Sequence, residues 1–174
     1  MNIAYKHLLP QHFVPESRVW IYQANRVFTL SEVLEVEKML ESFIDEWHAH
    51  GAPVKGFGTV MFGQFIVLMV DETATNVSGC SIESSVNLIK EIEKKFNITL
   101  LDRQLLAFVV KDNIQLLPLS QIKYAAENGF VTKDTLYFNN TVSSKQELED
   151  SWIIPVSDSW LSRKINFSTV VTQH

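Results

Sequence analysis

The chain has 174 residues, 46% of them hydrophobic and 20% charged, a composition that supports a buried core and excludes a disordered chain. Its formal net charge of -5, without a run of lysine or arginine, argues against a protein that binds nucleic acid through a basic surface. No signal peptide or membrane span is recognised, and the single cysteine, Cys80, excludes an internal disulfide. We therefore expect a soluble, cytoplasmic protein.

The first third of the chain predicts a strand and a helix. The β-branched and aromatic run "RVWIYQ", Arg18–Gln23, is typical of a strand. Thr29 followed three residues later by Glu32 is a capping-box pattern, which marks the start of a helix. That helix is expected to end near Gly51, and its apolar stripe consists of Val33, Val36, Leu40, Phe43 and Trp47.

Two strands are predicted next. They are expected over Val54–Phe62 and Phe65–Asp71, joined by a tight turn at Gly63 and Gln64. The second of these strands is almost continuously apolar, which is typical of a strand buried on both faces. It should therefore lie in the centre of a sheet.

A second helix and a second hairpin follow. Ser78 or Ser81 can cap the helix, and its apolar stripe consists of Ile82, Val86, Ile89, Ile92 and Phe96. "LLAFVVK", Leu105–Lys111, predicts a strand that turns at "DN" into a further strand in "IQLLPL".

The predicted order is strand, helix, strand, strand, helix, strand, which is the ferredoxin-like split βαβ pattern. We expect an α+β protein in which residues 1–117 form an antiparallel sheet with two helices on one face. Residues 118–174 are expected to form a small α/β extension packed on this core, with a soft boundary. Because such a sheet leaves its other face free, an apolar free face would favour a homodimer or a protein partner.

This topology brings reactive side chains to one end of the sheet. The loops there carry Asp71, Glu72, Cys80, His48, His50 and Lys55. A thiol with an imidazole base and a carboxylate is the combination found in cysteine nucleophiles, and the N-terminus of a helix favours a thiolate. The cluster predicts Cys80 as a nucleophile, His48 or His50 as its base and Asp71 as the orienting group.

Structural roles are the alternatives for the same residues. Cysteine is among the most buried residue types, so Cys80 can simply pack a tight loop. His48 and His50 are expected near a helix C-terminus, where the helix dipole favours a cation. A zinc site that combines them with Cys80 and Asp71 is a further alternative. Since H-x-H with one distant cysteine is not a typical zinc motif, neither a metal nor a cofactor is predicted.

The opposite end of the expected sheet collects a second set of polar side chains, namely Gln23, Asn25, Arg26, Asp102 and Arg103. Arginine forks bind carboxylate and phosphate groups, so this set predicts a site for an anionic ligand. The alternative is that Arg103 forms an ion pair with Asp102 or with another carboxylate at the sheet edge.

A nucleotide-binding loop is not indicated. "GAPVKGFG" contains glycines and Lys55, but Gly56 follows the lysine where a P-loop has serine or threonine. The segment also precedes a predicted strand, whereas a P-loop precedes a helix.

Four segments, "RVWIYQANR", "SGCSIESSV", "TLYFNN" and "DSW", resemble a family of small uncharacterised bacterial proteins, and the resemblance extends from Arg18 to Trp160. Members often carry the label "ABC transporter ATPase". That label implies Walker motifs, which this sequence lacks, so ATP hydrolysis is not expected. The segment "LPLSQIKYAAENGFVTKDTLYFNN" is similar in pattern to small GYF-type modules, which implies peptide binding by the C-terminal part.

The sequence favours a binding or interaction protein, because its core pattern is clear and no motif is specific to catalysis. The alternative is a cysteine-dependent hydrolase or transferase that uses Cys80 with a histidine base. A nucleotide hydrolase is suggested only by the family label.

Overall fold

The computed structural model describes residues 1–165 and residue 167. The chain divides into two compact units. The first unit contains residues 2–102 and 140–150, and the second contains Met1, residues 103–139 and the described residues from 151 onward. The chain passes from one unit to the other after residues 1, 102, 139 and 150, and the predicted boundary after residue 117 stays a prediction. Residues 166 and 168–174 of the predicted extension lie outside the described residues.

The fold mixes helices with antiparallel sheets, as the α+β prediction requires. The helices and strands, in chain order, are β1 (Arg18–Gln23), α1 (Leu30–Glu46), β2 (His48–Ala49), β3 (Ala52–Pro53), β4 (Lys55–Met61), β5 (Phe65–Asp71), α2 (Gly79–Phe96), β6 (Leu105–Val110), β7 (Asn113–Pro118), α3 (Ile122–Glu127), β8 (Leu136–Phe138), α4 (Lys145–Ser151) and β9 (Ile153–Pro155). The first unit contains a sheet of order β1-β5-β4, and the second contains a sheet of order β7-β6-β8-β9.

Helix α1 begins where the sequence predicts it. Thr29 Oγ1 accepts the backbone N–H of Glu32 at 3.2 Å, and the Glu32 carboxylate accepts the backbone N–H of Thr29 at 2.8 Å, so the capping box is confirmed. The helix ends at Glu46, before the predicted end near Gly51. His50 and Gly51 both have left-handed backbone angles and turn the chain between β2 and β3, so "HAHG" forms a hairpin and not a helix end.

Helix α2 has Ser78 as its N-cap, one of the two predicted caps, and Ser81 completes the reciprocal pair. The buried stripe of this helix is displaced from the predicted one and consists of Ser81, Ser85, Leu88, Ile89 and Ile92. The two serines are compatible with burial because their hydroxyls donate to backbone carbonyls in the preceding turn, at 2.8 and 2.6 Å.

The core of the first unit surrounds β5. All seven residues of β5 are buried, and successive side chains of a strand point to opposite faces, so neither face of this strand is free. Whether the sheet as a whole presents a free apolar face to a partner stays a prediction. Gly58 of β4 lets α1 come close, since a Cβ there would lie 3.0 Å from both Ile44 Cδ1 and Leu68 Cδ2. The N-terminal segment contributes Phe13, whose ring contacts that of Phe57 edge-on.

Three strands of the first unit follow the ferredoxin-like order. β5 lies between β1 and β4 and is antiparallel to both, as expected for the first three strands of that pattern. The place beside β1 is taken by a later segment. The backbone N–H of Val19 donates to the carbonyl of Ser143 at 3.0 Å, and Arg18 forms an isolated bridge with Ser144.

The fourth predicted strand of that pattern, β6, lies in the sheet of the second unit. Its neighbour β7 follows after a two-residue turn at Lys111 and Asp112, which both have left-handed backbone angles. This hairpin is the one predicted from the sequence. The other side of β6 pairs with β8 and not with β1. The complete ferredoxin-like sheet is therefore not confirmed.

The core of the second unit combines the sheet with α3 and aromatic residues. Ile122 and Ala125 of α3 are buried against the β6 side chains Leu106 and Phe108. The fully buried Trp152 ring packs edge-on against Phe138 at 5.7 Å. β6 has neighbours on both sides, whereas β7 is an edge strand of this sheet.

Candidate functional site

The first predicted cluster is distributed over β2, β4, β5, α2 and the segments that follow β2 and β5. Cys80 lies in the first turn of α2 and is exposed. His48 on β2 and His50 in the following turn are also exposed, and His48 Nδ1 lies 2.6 Å from the backbone oxygen of Glu46. Among the described residues, no hydrogen bond joins Cys80 to either histidine, and no three His, Cys, Asp or Glu side chains are grouped to hold a metal ion.

Asp71 has partners within its own loop and strand. Its buried carboxylate binds Lys55 Nζ at 2.7 Å and accepts hydrogen bonds from the hydroxyl and backbone N–H of Thr73 at 2.6 and 3.0 Å. Lys55, and then Thr73, hold the pKa of the Asp71 carboxyl well below its ordinary value despite burial. The neighbouring Glu72 accepts the backbone N–H of Val77 at 2.9 Å. These two acids stabilise the loop between β5 and α2.

Arg26 of the second predicted set joins the two helices. Its guanidinium forms a bidentate pair with Glu32, at 2.8 and 2.9 Å, and also donates to the carbonyl of Phe96 at 2.9 Å. This pair, with the N–H of Thr29, lowers the pKa of Glu32 from 4.5 to about 2. The Glu32 carboxylate therefore already occupies the Arg26 guanidinium, and an anionic ligand would have to displace it.

Gln23 and Asn25 of the same set also have partners in the first unit. Gln23 Oε1 accepts a hydrogen bond from Asn140 Nδ2 at 2.9 Å. Asn25 forms two hydrogen bonds with Thr99, each of 3.0 Å.

The remaining members of the set, Asp102 and Arg103, are exposed and belong to different units. The residues predicted to bind an anion are thus divided between the two units, and three of them have structural partners in the first.

The second unit contains an apolar groove that the sequence did not predict. It encloses about 570 Å³ between the β6-β7 hairpin, α3 and the residues that follow α3. A volume of this size is typical of ligand sites. Its apolar lining includes Phe108, Val110, Leu117, Tyr124 and Phe130.

Two aromatic rings of the groove are open to solvent. Tyr124 on α3 and Phe130 just after it are each 65% exposed. Helix α3 ends at Glu127, and Gly129 in a left-handed conformation turns the chain immediately before Phe130. Aromatic residues are enriched at binding interfaces, and exposed apolar side chains grouped in a groove mark interaction sites.

The polar part of the groove lining is small and nearly neutral. Among the described residues that line it, Lys111 alone is charged, and Asn113, Gln115 and Gln121 contribute amide groups. Amides of this kind can donate to and accept from a main chain, and the lysine can bind a carboxylate.

The floor of the groove is held by buried aromatic contacts. The Phe108 ring packs against Tyr137 at 5.4 Å, and the Tyr137 hydroxyl accepts a hydrogen bond from Trp160 Nε1 at 3.2 Å. Burial raises the pKa of Tyr137, which keeps its hydroxyl neutral. A floor supported in this way is preorganised, which lowers the entropy cost of binding.

Comparisons of the chain with protein-family models, with curated proteins and with solved structures found no match. Within the described ranges, 1–165 and 167, no helix is both long enough and apolar enough to cross a membrane.

Proposed function

We propose that this protein is a binding module whose second unit holds an extended, largely apolar segment of a partner protein in the groove between β7 and α3. The observation that carries the proposal is the pair of rings at Tyr124 and Phe130, each 65% exposed, in a concavity of about 570 Å³. Burial of two such rings by a partner would contribute several kcal/mol, at about 25 cal/mol per Å² of apolar surface.

The chemistry of the groove favours a peptide over a charged metabolite. Lys111 is the single charged side chain among the described lining residues, which provides little to hold a phosphate or a polyanion. Asn113 and Gln121 instead offer neutral amides to a peptide backbone. We expect the bound segment to carry apolar side chains that contact the two rings and an acidic residue near Lys111.

The resemblance of residues 117–140 to GYF-type modules supports the same proposal, because peptide binding is what that resemblance implies. The groove residues Leu117, Gln121, Tyr124, Gly129 and Phe130 fall within this segment. Action in the cytoplasm is part of the proposal, supported by the exposed thiol of Cys80, since exposed free thiols persist in reducing compartments.

Selection from a random-peptide library tests the proposal. The immobilised full-length protein is the target, and the double variant Tyr124→Ala/Phe130→Ala is the counter-selection target. We expect selected peptides to be rich in apolar residues and to bind the double variant at least about tenfold more weakly, because interface aromatics contribute roughly 1–2 kcal/mol each.

The matched control is Leu34→Ala, which shortens a side chain of similar exposure, 58%, on α1 of the first unit. Selected peptides should bind this variant as tightly as they bind the unmodified protein. A selection that yields no peptide, or peptides that bind the Tyr124→Ala/Phe130→Ala variant equally well, would contradict the proposal.

A further inference from the structure

Within the described part of the chain no strand pairs with the outer edge of β7, and this edge lacks the usual protection of an edge strand. β7 covers Asn113–Pro118, "NIQLLP", and contains no charged residue over six positions. Natural sheets commonly protect an exposed edge with lysine, with bulges or by keeping the strand short. The other edge strand of the sheet, β9, is only three residues long and ends in Pro155.

The hydrogen-bond alternation of the hairpin identifies the groups on this edge. Val110 and Asn113 close the two-residue turn, so they form a hydrogen-bonded pair, and every second pair along the hairpin does the same. The bond from the N–H of Leu119 to the carbonyl of Gln104 at 2.7 Å continues this alternation. The N–H and C=O groups of the intervening residues, Ile114 and Leu116, therefore point away from β6.

The same alternation places Pro118 at an outward position. Proline has no N–H, so it occurs in sheets mainly where that group would face away from the neighbouring strand. Its presence limits the registers in which another strand can add to this edge.

We infer that β7 pairs with β7 of a second copy of this chain, antiparallel and with Gln115 facing Gln115 across a two-fold axis. In this register Ile114 of each copy pairs with Leu116 of the other, so all four outward N–H and C=O groups of each strand are used. A register that centres on Leu116 would oppose Ile114 to Pro118 and lose a donor. A register that centres on Ile114 would oppose Leu116 to the turn residue Asp112.

Side chains support this register on both faces of the new pair. Ile114 and Leu116 are both partly exposed, and they would form two apolar cross-strand contacts on one face. The two Gln115 side chains would meet on the other face, where their amides can bond to each other.

Charge complementarity favours the same partner. Asp112 lies at the turn end of the hairpin, and its side chain is 87% exposed although the terminal ammonium of Met1 lies 3.4 Å from it. Arg103 precedes β6 at the opposite end, is exposed and has no ion pair within the described part of the chain. The two-fold pairing brings Asp112 of each copy toward Arg103 of the other, two strand spacings of ~4.8 Å across the sheet and about two residues along it. Their Cα atoms would be ~12 Å apart, a distance that the two extended side chains together can span.

Disulfide trapping tests the register. In a Cys80→Ser background, Gln115→Cys would lie about 4.5 Å, Cα to Cα, from the same residue of the second copy, a separation that a disulfide can span. Asn113→Cys is the matched control, because position 113 would face position 117 and lie about 13 Å from its own counterpart. We expect oxidation to convert the Gln115→Cys protein to a disulfide dimer while the Asn113→Cys protein remains monomeric. Equal cross-linking of both variants would overturn the inference.

Sedimentation equilibrium of the full chain tests the association itself. The apparent mass should rise with concentration from 19.9 kDa toward twice that value. Gln115→Lys, which places two lysines face to face, should remain at the monomer mass while its circular dichroism matches that of the unmodified protein.

Gln146→Lys is the control for that variant, because it makes the same change at an exposed position of α4 in the first unit. It should associate like the unmodified chain. A protein that stays at 19.9 kDa at every concentration, or a dimer that Gln115→Lys does not weaken, would refute pairing along β7.

Discussion

The two units of this protein differ in whether the side chains that suggest a functional site already have partners within the fold. In the first unit the charged residues that suggest chemistry have partners close by, as in the pairs Arg26–Glu32 and Lys55–Asp71. In the second unit the conspicuous residues are apolar, and Tyr124 and Phe130 remain largely exposed beside an open strand edge.

Charge alone is a poor guide to a functional site in this protein. A buried carboxylate must be paired or hydrogen-bonded, so an acid beside a lysine in sequence or in register is often part of the scaffold. An exposed aromatic ring has no comparable structural need, since its exposure costs free energy in the isolated protein. The second unit is therefore where binding should be sought first.

Truncating a core residue should lower the free energy of unfolding far more than truncating a ring of the groove. Leu40→Ala removes a fully buried side chain from the core of the first unit and should lower the free energy of unfolding by about 3 kcal/mol. Phe130→Ala truncates a ring that is 65% exposed and should change it by less than about 0.5 kcal/mol. Urea unfolding followed by tryptophan fluorescence measures both. A Phe130→Ala loss comparable with that of Leu40→Ala would show that the ring belongs to the core and would remove the contrast between the units.

A smaller effect should appear in acid, from the ion pairs of the first unit. The pKa of Glu32 falls from 4.5 to about 2 in the folded protein, and that of Asp71 is also lowered. A carboxyl with a depressed pKa binds fewer protons when folded than when unfolded, so its stabilisation is complete above its ordinary pKa and is lost as the pH falls through the folded value. Stability should therefore decline from about pH 4.5 toward pH 2.

Glu32→Gln isolates the contribution of the Arg26 pair to that decline. Glutamine can still accept the N–H of Thr29 in the capping box, so the variant mainly removes the charge. It should be less stable than the unmodified protein at neutral pH and lose less stability on acidification. Glu41→Gln, an exposed position of the same helix, should leave the pH profile unchanged. Identical profiles for Glu32→Gln and the unmodified protein would show that this ion pair does not stabilise the fold.

The features predicted correctly from the sequence are those set by short-range patterns. The capping box of Thr29 and Glu32 and the N-cap at Ser78 depend on neighbours three residues apart. The complete burial of β5 follows from its unbroken apolar run. Each of these signals depends on backbone geometry or burial within a single element, so long-range packing does not change it.

The features that the sequence did not predict depend on the choice of partner. Leu105–Val110 forms the predicted hairpin with β7, but its other side pairs with β8 and not with β1, a choice between distant partners that the strand's own sequence does not determine. The bidentate contact between Arg26 and Glu32 requires the loop before α1 to turn back onto the first turn of that helix. The spacing of apolar and polar residues does not predict such a turn. Phe130 is likewise as hydrophobic as a core residue, so its hydrophobicity alone does not predict that it is exposed. Its exposure follows from the left-handed turn at Gly129, which directs the chain away from the axis of α3.

The smallest expected effect on stability is at Cys80, which lies in the first turn of α2 and is exposed. Because its side chain fills no part of the core, Cys80→Ser should change the free energy of unfolding by less than about 0.5 kcal/mol. Iodoacetamide should label the native protein without prior unfolding because Cys80 is exposed, and every labelling event reports this one thiol. Protection until unfolding would show that Cys80 is buried in solution. A native rate far above the unfolded one would indicate an activated thiolate and would shift the search for function from the groove of the second unit to the N-terminus of α2.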